Sequence, residues 1–328
     1  MIRPVWKFPK NFNRYPCSTG TMTNLHQTVL LEEAVRALIT NRNGTYVDCT
    51  YGRGGHSSAI ASELGADGRL LVVDRDLAAI QHARNTFGND PRIVIKHGAF
   101  SQIQQFVQDH EISKVDGVLM DLGVSSPQLD EGDRGFSFRH SGPLDMRMNQ
   151  TEGETASDWL TSADEAEITD VLKKFGEERF ARRIASSIVK ARAEGPIDTT
   201  ERLVQIVETS VPRREKHKHP ATRTFQAIRI QVNRELEELA ACLSDVVDLL
   251  NSGGRLVVIS FHSLEDRLVK RFFRRMAQGD DLPSRLPVTE DQLNRRMKLV
   301  GKATKPSAAE IDNNRRARSS IMRVAEKL

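Results

Sequence analysis

The densest chemistry in the chain lies in Asp48-Cys49-Thr50-Tyr51-Gly52-Arg53-Gly54-Gly55-His56. Glycines there let the backbone approach a ligand without a Cβ in the way. The spacing departs from Gly-x-Gly-x-x-Gly, which disfavours a pyrophosphate. A carboxylate just ahead of the loop, Asp48, would repel a pyrophosphate and attract a cationic amine. A second acid, Asp74, stands 20 residues beyond Gly54, the length of one helix and one strand. At a strand end its carboxylate can accept hydrogen bonds from both hydroxyls of a ribose. Together these features fit a nucleoside with a cationic amine, S-adenosylmethionine being the example. Asp74 alone fits NAD equally, and a plain strand-to-helix turn with surface acids is the bland alternative.

Further along, Phe100 in Gly98-Ala99-Phe100 could stack on adenine, although a lone Phe is more often core. Asp121 opens Asp121-Leu122-Gly123-Val124-Ser125-Ser126-Pro127-Gln128, the next ligand-facing loop. Methylation of a pyrimidine carbon would require a thiolate near this loop. No cysteine lies between Cys49 and Cys242, and Cys17 is far upstream, so direct attack by an amine or oxygen is expected. The polar-Pro-Pro-aromatic motif common in amine methylation is absent, leaving Asp121 and loop carbonyls as acceptors. Asp121 either accepts an N–H of the target amine or only holds the cofactor. His217 and His219 lack metal-ligand company and read as a solvated loop, so no metal is expected. His262-Ser263-x-Glu265-Asp266 lacks nucleophile-elbow glycines and suggests a substrate-pocket lining instead of a hydrolytic triad.

These residues need a scaffold. Strand signals at 45–49, 69–73, 92–96 and 115–120 alternate with helix signals at 57–64, 77–86 and about 103–110. That alternation predicts a parallel sheet covered on both faces, an α/β Rossmann-like fold. From 131 to 235 the strand signal fades. There Ser162-x-x-Glu165 reads as a capping box opening a helix that stops at Gly176. Further helices are expected at about 177–193 and 200–210, with helical spacing through 221–250. Gly253-Gly254 leads into a strand at 255–260, and a last strand is expected at 319–325. The expected organisation is thus a sheet domain from 22–130 and 236–328, with a mostly helical insertion at 131–235. Residues 1–21 are basic and without periodicity, and are expected to be a disordered extension preceding a start at Met22.

Composition narrows the partners. The chain has 328 residues and net charge +4, but residues 267–328 hold 16 Lys+Arg against 7 Asp+Glu. That concentration suggests a polyanion, with a solvated basic face as the alternative. Without a long apolar run, no membrane partner is expected. Three scattered cysteines suit a reducing cytoplasm.

Seven stretches, in order, resemble one family: His26–Leu31, Tyr51–Ser57, Asp121–Leu129, Arg134–Phe138, Gly142–Met148, His219–Gln226 and Ser260–Arg267. The chain is similar to the bacterial small-subunit (16S) ribosomal RNA cytosine-N4 methyltransferases over roughly 24–328. The resemblance implies a class I methyltransferase sheet using S-adenosylmethionine, acting on a decoding-region cytosine of 16S ribosomal RNA within or outside the small subunit. It implies cofactor contacts by Gly54, Gly55, His56, Asp74, Phe100, Asp121 and Gln128. Candidate substrate contacts are Ser125, Ser126, Arg147, Arg223 and His262, with Arg134, Phe136, Phe138, Phe225 and Arg229 as further stacking or phosphate candidates. Oligomeric state, a homodimer included, stays open. The alternatives are methylation of DNA or a small amine, an NAD-linked oxidoreductase, and a non-catalytic RNA-binding assembly factor.

Overall fold

The computed structural model describes residues 28–212, 219–280 and 293–328. Residues 1–21 with Cys17, and also Met22 and His217, lie outside them. The chain divides into two units, one running to Leu122 and resuming at Cys242, the other Gly123–Ala241. The division falls at 122/123 and 241/242, against 130/131 and 235/236 in the sequence reading.

The first unit opens with α1 (Leu31–Leu38), then β1 (Thr45–Asp48), α2 (Gly55–Glu63), β2 (Arg69–Asp74) and α3 (Leu77–Phe87). It continues with β3 (Ile93–His97), α4 (Ile103–Gln108) and β4 (Val115–Asp121). The second unit holds α5 (Ser126–Asp130), α6 (Ala156–Ser162), α7 (Glu165–Gly176), α8 (Ala181–Glu194), α9 (Thr200–Ser210) and α10 (Thr222–Asn233). Helix α11 (Glu235–Leu249) crosses the division. The chain then completes the first unit with β5 (Leu250–Ser260), α12 (Ser263–Gln278), β6 (Met297–Leu299), α13 (Ala308–Asn313) and β7 (Ile321–Lys327).

The sheet order is β3-β2-β1-β4-β5-β7-β6, with β7 antiparallel to both its neighbours. The central strands are apolar runs because both faces are covered; Leu70, Leu71, Val72 and Val73 of β2 are all buried. The order reverses direction between β1 and β4, which makes the carboxyl ends of those strands the expected ligand crevice. Asp48 pairs with Val72 and Leu119, so β2 and β4 each run on to their own terminal acids, Asp74 and Asp121. Buried Tyr46 ties the end of α1 to β1, accepting the N–H groups of Thr40 and Asn41 and donating to the Asn41 carbonyl. Leu30 enters α1 at φ 52°, its N–H donating to Glu310 Oε1 at 2.7 Å.

In the second unit Gly176 lets α7 meet α10 backbone to backbone; a Cβ there would stand 2.7 Å from the Arg223 carbonyl. Buried Asn233 pins the 142–149 loop to α10. Its Nδ2 donates to the Met146 and Arg229 carbonyls, and its Oδ1 accepts the Met148 N–H at 2.8 Å.

Several expectations shift. Ser162 ends α6 and does not open the next helix; Asp164 caps α7 by accepting the Glu167 N–H at 2.8 Å. A capping box does occur, between Thr155 and Asp158. Residues 177–180 are not helical, because Glu177 turns left-handed (φ 49°) and the next helix starts at Ala181. The 221–250 spacing is two helices broken at Arg234 (φ 51°). Strand β5 begins earlier than 255, passing through Gly253 at φ 80°. Helices α1 and α6 and the three-residue β6 were not anticipated. Among the described residues no helix is long and apolar enough to cross a membrane.

Candidate functional site

Three acids end three adjacent strands of the first unit, and each is held differently. Asp48 is fully buried. Its Oδ2 accepts the Ser57 hydroxyl at 2.6 Å and its Oδ1 accepts the Thr50 N–H at 3.1 Å. Burial pushes its pKa up, against the Ser57 and Thr50 donors and the charge of His56. Asp74 accepts the Gly52 N–H on Oδ2 and the Asp76 N–H on Oδ1, both at 2.8 Å. Burial raises its pKa to about 6 in spite of the two amides. A carboxylate has about four acceptor sites, so two amides leave capacity for two hydroxyl donors.

Asp121 faces His56 across the switch point. His56 Nδ1 lies 3.5 Å from Asp121 Oδ2, and the Asp121 N–H donates to Thr50 Oγ1 at 2.6 Å. Asp121 Oδ1 is buried with no hydrogen-bond partner among the described residues. Burial pulls the His56 pKa down, but the hydrogen bond and charge of Asp121, with the charge of Asp48, outweigh it; the net shift is upward.

The loop between them is shaped by glycine. Gly52 (φ 55°) and Gly54 (φ 77°) are left-handed, and a Cβ on Gly54 would meet the Tyr51 hydroxyl at 2.5 Å and its ring at 2.6 Å. A Cβ on Gly55 would fall on Thr28 Oγ1, so the start of α2 is closed against Thr28. Tyr51 Oη is fixed by His82 Nδ1 at 2.7 Å. Ser57, Thr50, Thr28 and Tyr51 were not singled out from sequence; their hydroxyls read as ordinary polar residues until the fold brings the acids and glycines to them.

Phe100 opens a short 3-10 turn just after β3, half-buried, on the strand whose His97 pairs with Asp74. Thus Gly54, Gly55, His56, Asp74, Phe100 and Asp121 all lie along the carboxyl edge of one sheet. His262 lies past the end of β5 and caps α12: its Nδ1 accepts the Glu265 N–H at 3.4 Å, while Glu265 accepts the N–H groups of Phe261 and His262. Cys49 and Cys242 are both buried and free, and the Cys49 thiol is pushed well up, first by its hydrogen bond with the Cys242 thiol and then by burial. It is no thiolate nucleophile.

The remaining predicted residues belong to the second unit. Gln128 is buried in α5 and its Oε1 accepts the Ser125 N–H at 3.0 Å; Ser126 is buried beside it in sequence. Arg147 grips Asp145 through Nε at 2.8 Å and Nη2 at 3.0 Å. Arg223 is half-buried on α10. Arg134 is buried and donates to the Arg147 and Met148 carbonyls, while Arg229 holds Glu235 at 2.7 and 2.8 Å. Phe136 and Phe225 are buried; Phe138 stacks on His219 at 4.6 Å and meets Phe225 edge-on. A groove along α8 is lined by Arg179, Arg182, Arg183 and Lys190 against one acid, Glu165, with Phe180 and Ser187.

A seven-stranded sheet in this order, with acids closing β1, β2 and β4 around a glycine turn, defines a Rossmann-like class I methyltransferase that uses S-adenosylmethionine. Residues 23–328 match the MraW methylase family, and the chain belongs to it. It is 53% identical over 311 residues to the ribosomal RNA small subunit methyltransferase H of Idiomarina loihiensis, covering 94% of this chain and 98% of that protein. The protein of the same name from Thioalkalivibrio sulfidiphilus is 54% identical, covering 94% of this chain and 99% of its own. Among solved structures, an rRNA methylase from Streptococcus thermophilus aligns over 90% of this chain and 93% of its own, with TM-score 0.39 and 9% identity.

Proposed function

We propose that this chain methylates the exocyclic N4 amine of a cytosine in the decoding region of 16S ribosomal RNA. The observation that carries the reading is Asp121 Oδ1, a buried acceptor without a partner among the described residues, at the strand-order switch point. Buried polar atoms are rarely left unmade, so an orphan acceptor there suits a donor brought by a ligand. The names of the relatives support a ribosomal RNA substrate, and the basic α8 groove of the second unit suits phosphate.

The residues present fit S-adenosylmethionine. Asp74 would take the ribose hydroxyls, Phe100 the adenine face, and the Gly54–His56 turn the methionine end. Bound there, the sulfonium supplies the methyl group. The amine lone pair of cytosine is delocalised into its ring and is a weak nucleophile. Asp121 Oδ1 would accept one N4–H, which returns density to nitrogen and fixes its line of attack. His56 occupies Oδ2, leaving Oδ1 as the acceptor. Once methylated, N4 would shed one proton, and Asp121 or water would take it. The base must leave its stack, which an RNA loop permits at low cost.

The test is deletion of the gene, followed by mass mapping of modified bases in 16S ribosomal RNA and restoration in vitro with purified protein and methyl-labelled cofactor. Loss and recovery of one N4-methylated cytosine are expected. Labelled DNA or small amine, with unlabelled RNA, would replace this reading by the corresponding alternative.

A further inference from the structure

We infer that the outward face of α12 is a docking track for the sugar–phosphate backbone of the RNA, leading away from the catalytic edge of the sheet. The inference rests on the RNA reading above and adds where in the first unit the RNA strand is held.

The sequence of α12 separates cleanly into two faces. Glu265, Val269, Phe272 and Phe273 are buried, at the spacing of one helical stripe. Arg267, Lys270, Arg271, Arg274 and Arg275 are exposed. Positions 267, 270/271 and 274 follow one another a turn apart, so their charges form a line about 10 Å long. Residues 267–278 contain five Lys+Arg and no Asp or Glu.

That balance is unusual in the unit. Arg42 pairs with Glu63, Arg92 with Asp90, and Arg255 with Glu326. The acid that could serve α12, Asp266, is committed to Arg323 at 2.7 and 3.1 Å. Among the described residues Lys270, Arg271 and Arg274 have no ion pair. Like charges a turn apart weaken a helix, so Lys270, Arg271 and Arg274 are an electrostatic cost unless a polyanion meets them. None of the exposed large hydrophobics lies on this helix, so the apolar anchor that a protein partner needs is missing.

Position ties the stripe to the chemistry. Ile259 of β5 pairs with Asp121, and two residues after the strand ends His262 caps α12. The helix therefore starts at the edge that carries Asp48, Asp74 and Asp121, and its cations run back from it. A strand whose target base enters at that edge can lay its flanking phosphates along them.

The test is Lys270→Gln/Arg271→Gln/Arg274→Gln in the full chain. Binding to naked 16S ribosomal RNA transcript and to small subunits from a gene-deletion strain is measured across salt concentrations. The expected result is about tenfold weaker binding to both, with the slope of log Kd against log salt reduced by about two to three. KM for RNA rises, while kcat at saturating RNA and affinity for S-adenosylhomocysteine stay at wild-type values. Wild-type affinity and slope in the variant overturn the track. So does a loss seen with subunits only, which would assign the face to a ribosomal protein. If the wild-type protein neither binds nor methylates RNA, the RNA reading itself fails, a result distinct from a wild-type-like variant.

Discussion

His56 Nδ1 stands 3.5 Å from Asp121 Oδ2 at the point where the sheet reverses its strand order, and the other Asp121 oxygen is buried without a partner among the described residues. The two halves of one carboxylate thus have separate tasks, one fixed by the protein and one left for a ligand. Asp121→Asn and Asp121→Ala should each lower kcat by about a hundredfold or more. Affinity for S-adenosylhomocysteine, measured by calorimetry, separates loss of chemistry from loss of cofactor. Wild-type turnover in either variant removes Asp121 from the reaction. His56 adds a stability signature. Its folded pKa lies above 6.5, so its contribution is complete below pH 6.5 and is lost as pH rises through the raised value. Thermal unfolding of His56→Gln should therefore lose less stability than wild type over that rise.

Asp74 predicts a pH dependence of cofactor binding. Its carboxyl sits at about 6 in the free protein, and only the ionised form can accept from both ribose hydroxyls. Ligand binding favours ionisation, so affinity should be full above pH 6 and fall as pH drops below it. Stability of the free protein runs the other way. A raised carboxyl pKa favours the folded state below about 4 and loses that advantage as pH climbs through 6. Calorimetry with S-adenosylhomocysteine from pH 5 to 8 checks the first, and Asp74→Asn should flatten the profile while weakening binding by about 1.5–3 kcal/mol. A pH-independent wild-type affinity would remove Asp74 from the ribose contact.

How much of this was legible in sequence follows from the range of the forces involved. Asp48, Asp74 and Asp121 could be placed because each of these buried strands finishes in an apolar run closed by an acid. The glycine turn was legible for the same local reason. Arg134 was not. It looked like a phosphate contact, yet its partners are carbonyls 13 and 14 residues further on, which only the folded loop supplies. His262 looked like a pocket residue, but its nearest work is the cap of α12. Ser162 satisfied a capping pattern that Asp164 fulfils, because two helices meet there and the pattern cannot say which end a serine serves. Helix α1 was missed because it is only eight residues long and its entry is set by the fold, a left-handed Leu30 whose N–H donates to Glu310.

Ser57 and Asp48 should behave as a coupled pair. The Ser57 hydroxyl is the shorter of the two hydrogen bonds on a fully buried carboxylate. Ser57→Ala should cost about 1–3 kcal/mol and lower Tm by several degrees. The cost falls on the ionised acid, so it should be smallest at low pH and grow as pH rises through the raised Asp48 pKa. Asp48→Asn/Ser57→Ala should be less destabilised than the sum of the single changes. Additive losses that are equal at all pH values would mean that Ser57 acts by packing alone.

Arg134 gives the sharpest separation of structural from substrate roles in the second unit. It is 5% exposed, and its Nη2 donates to the Met148 carbonyl at 3.0 Å and the Arg147 carbonyl at 3.3 Å. Arg134→Met keeps the apolar stem but strands two inward-facing carbonyls, at about 1–3 kcal/mol for the pair. Tm should fall, whereas RNA affinity measured well below the transition, and its salt slope, should match wild type. A phosphate contact would show the reverse, an unchanged Tm with a salt slope reduced by about one. Because Arg134 closes the 3-10 turn that leads through Gly135 to buried Phe136, the unfolding measurement also reports whether the 134–149 loop is held from within or waits for RNA to order it.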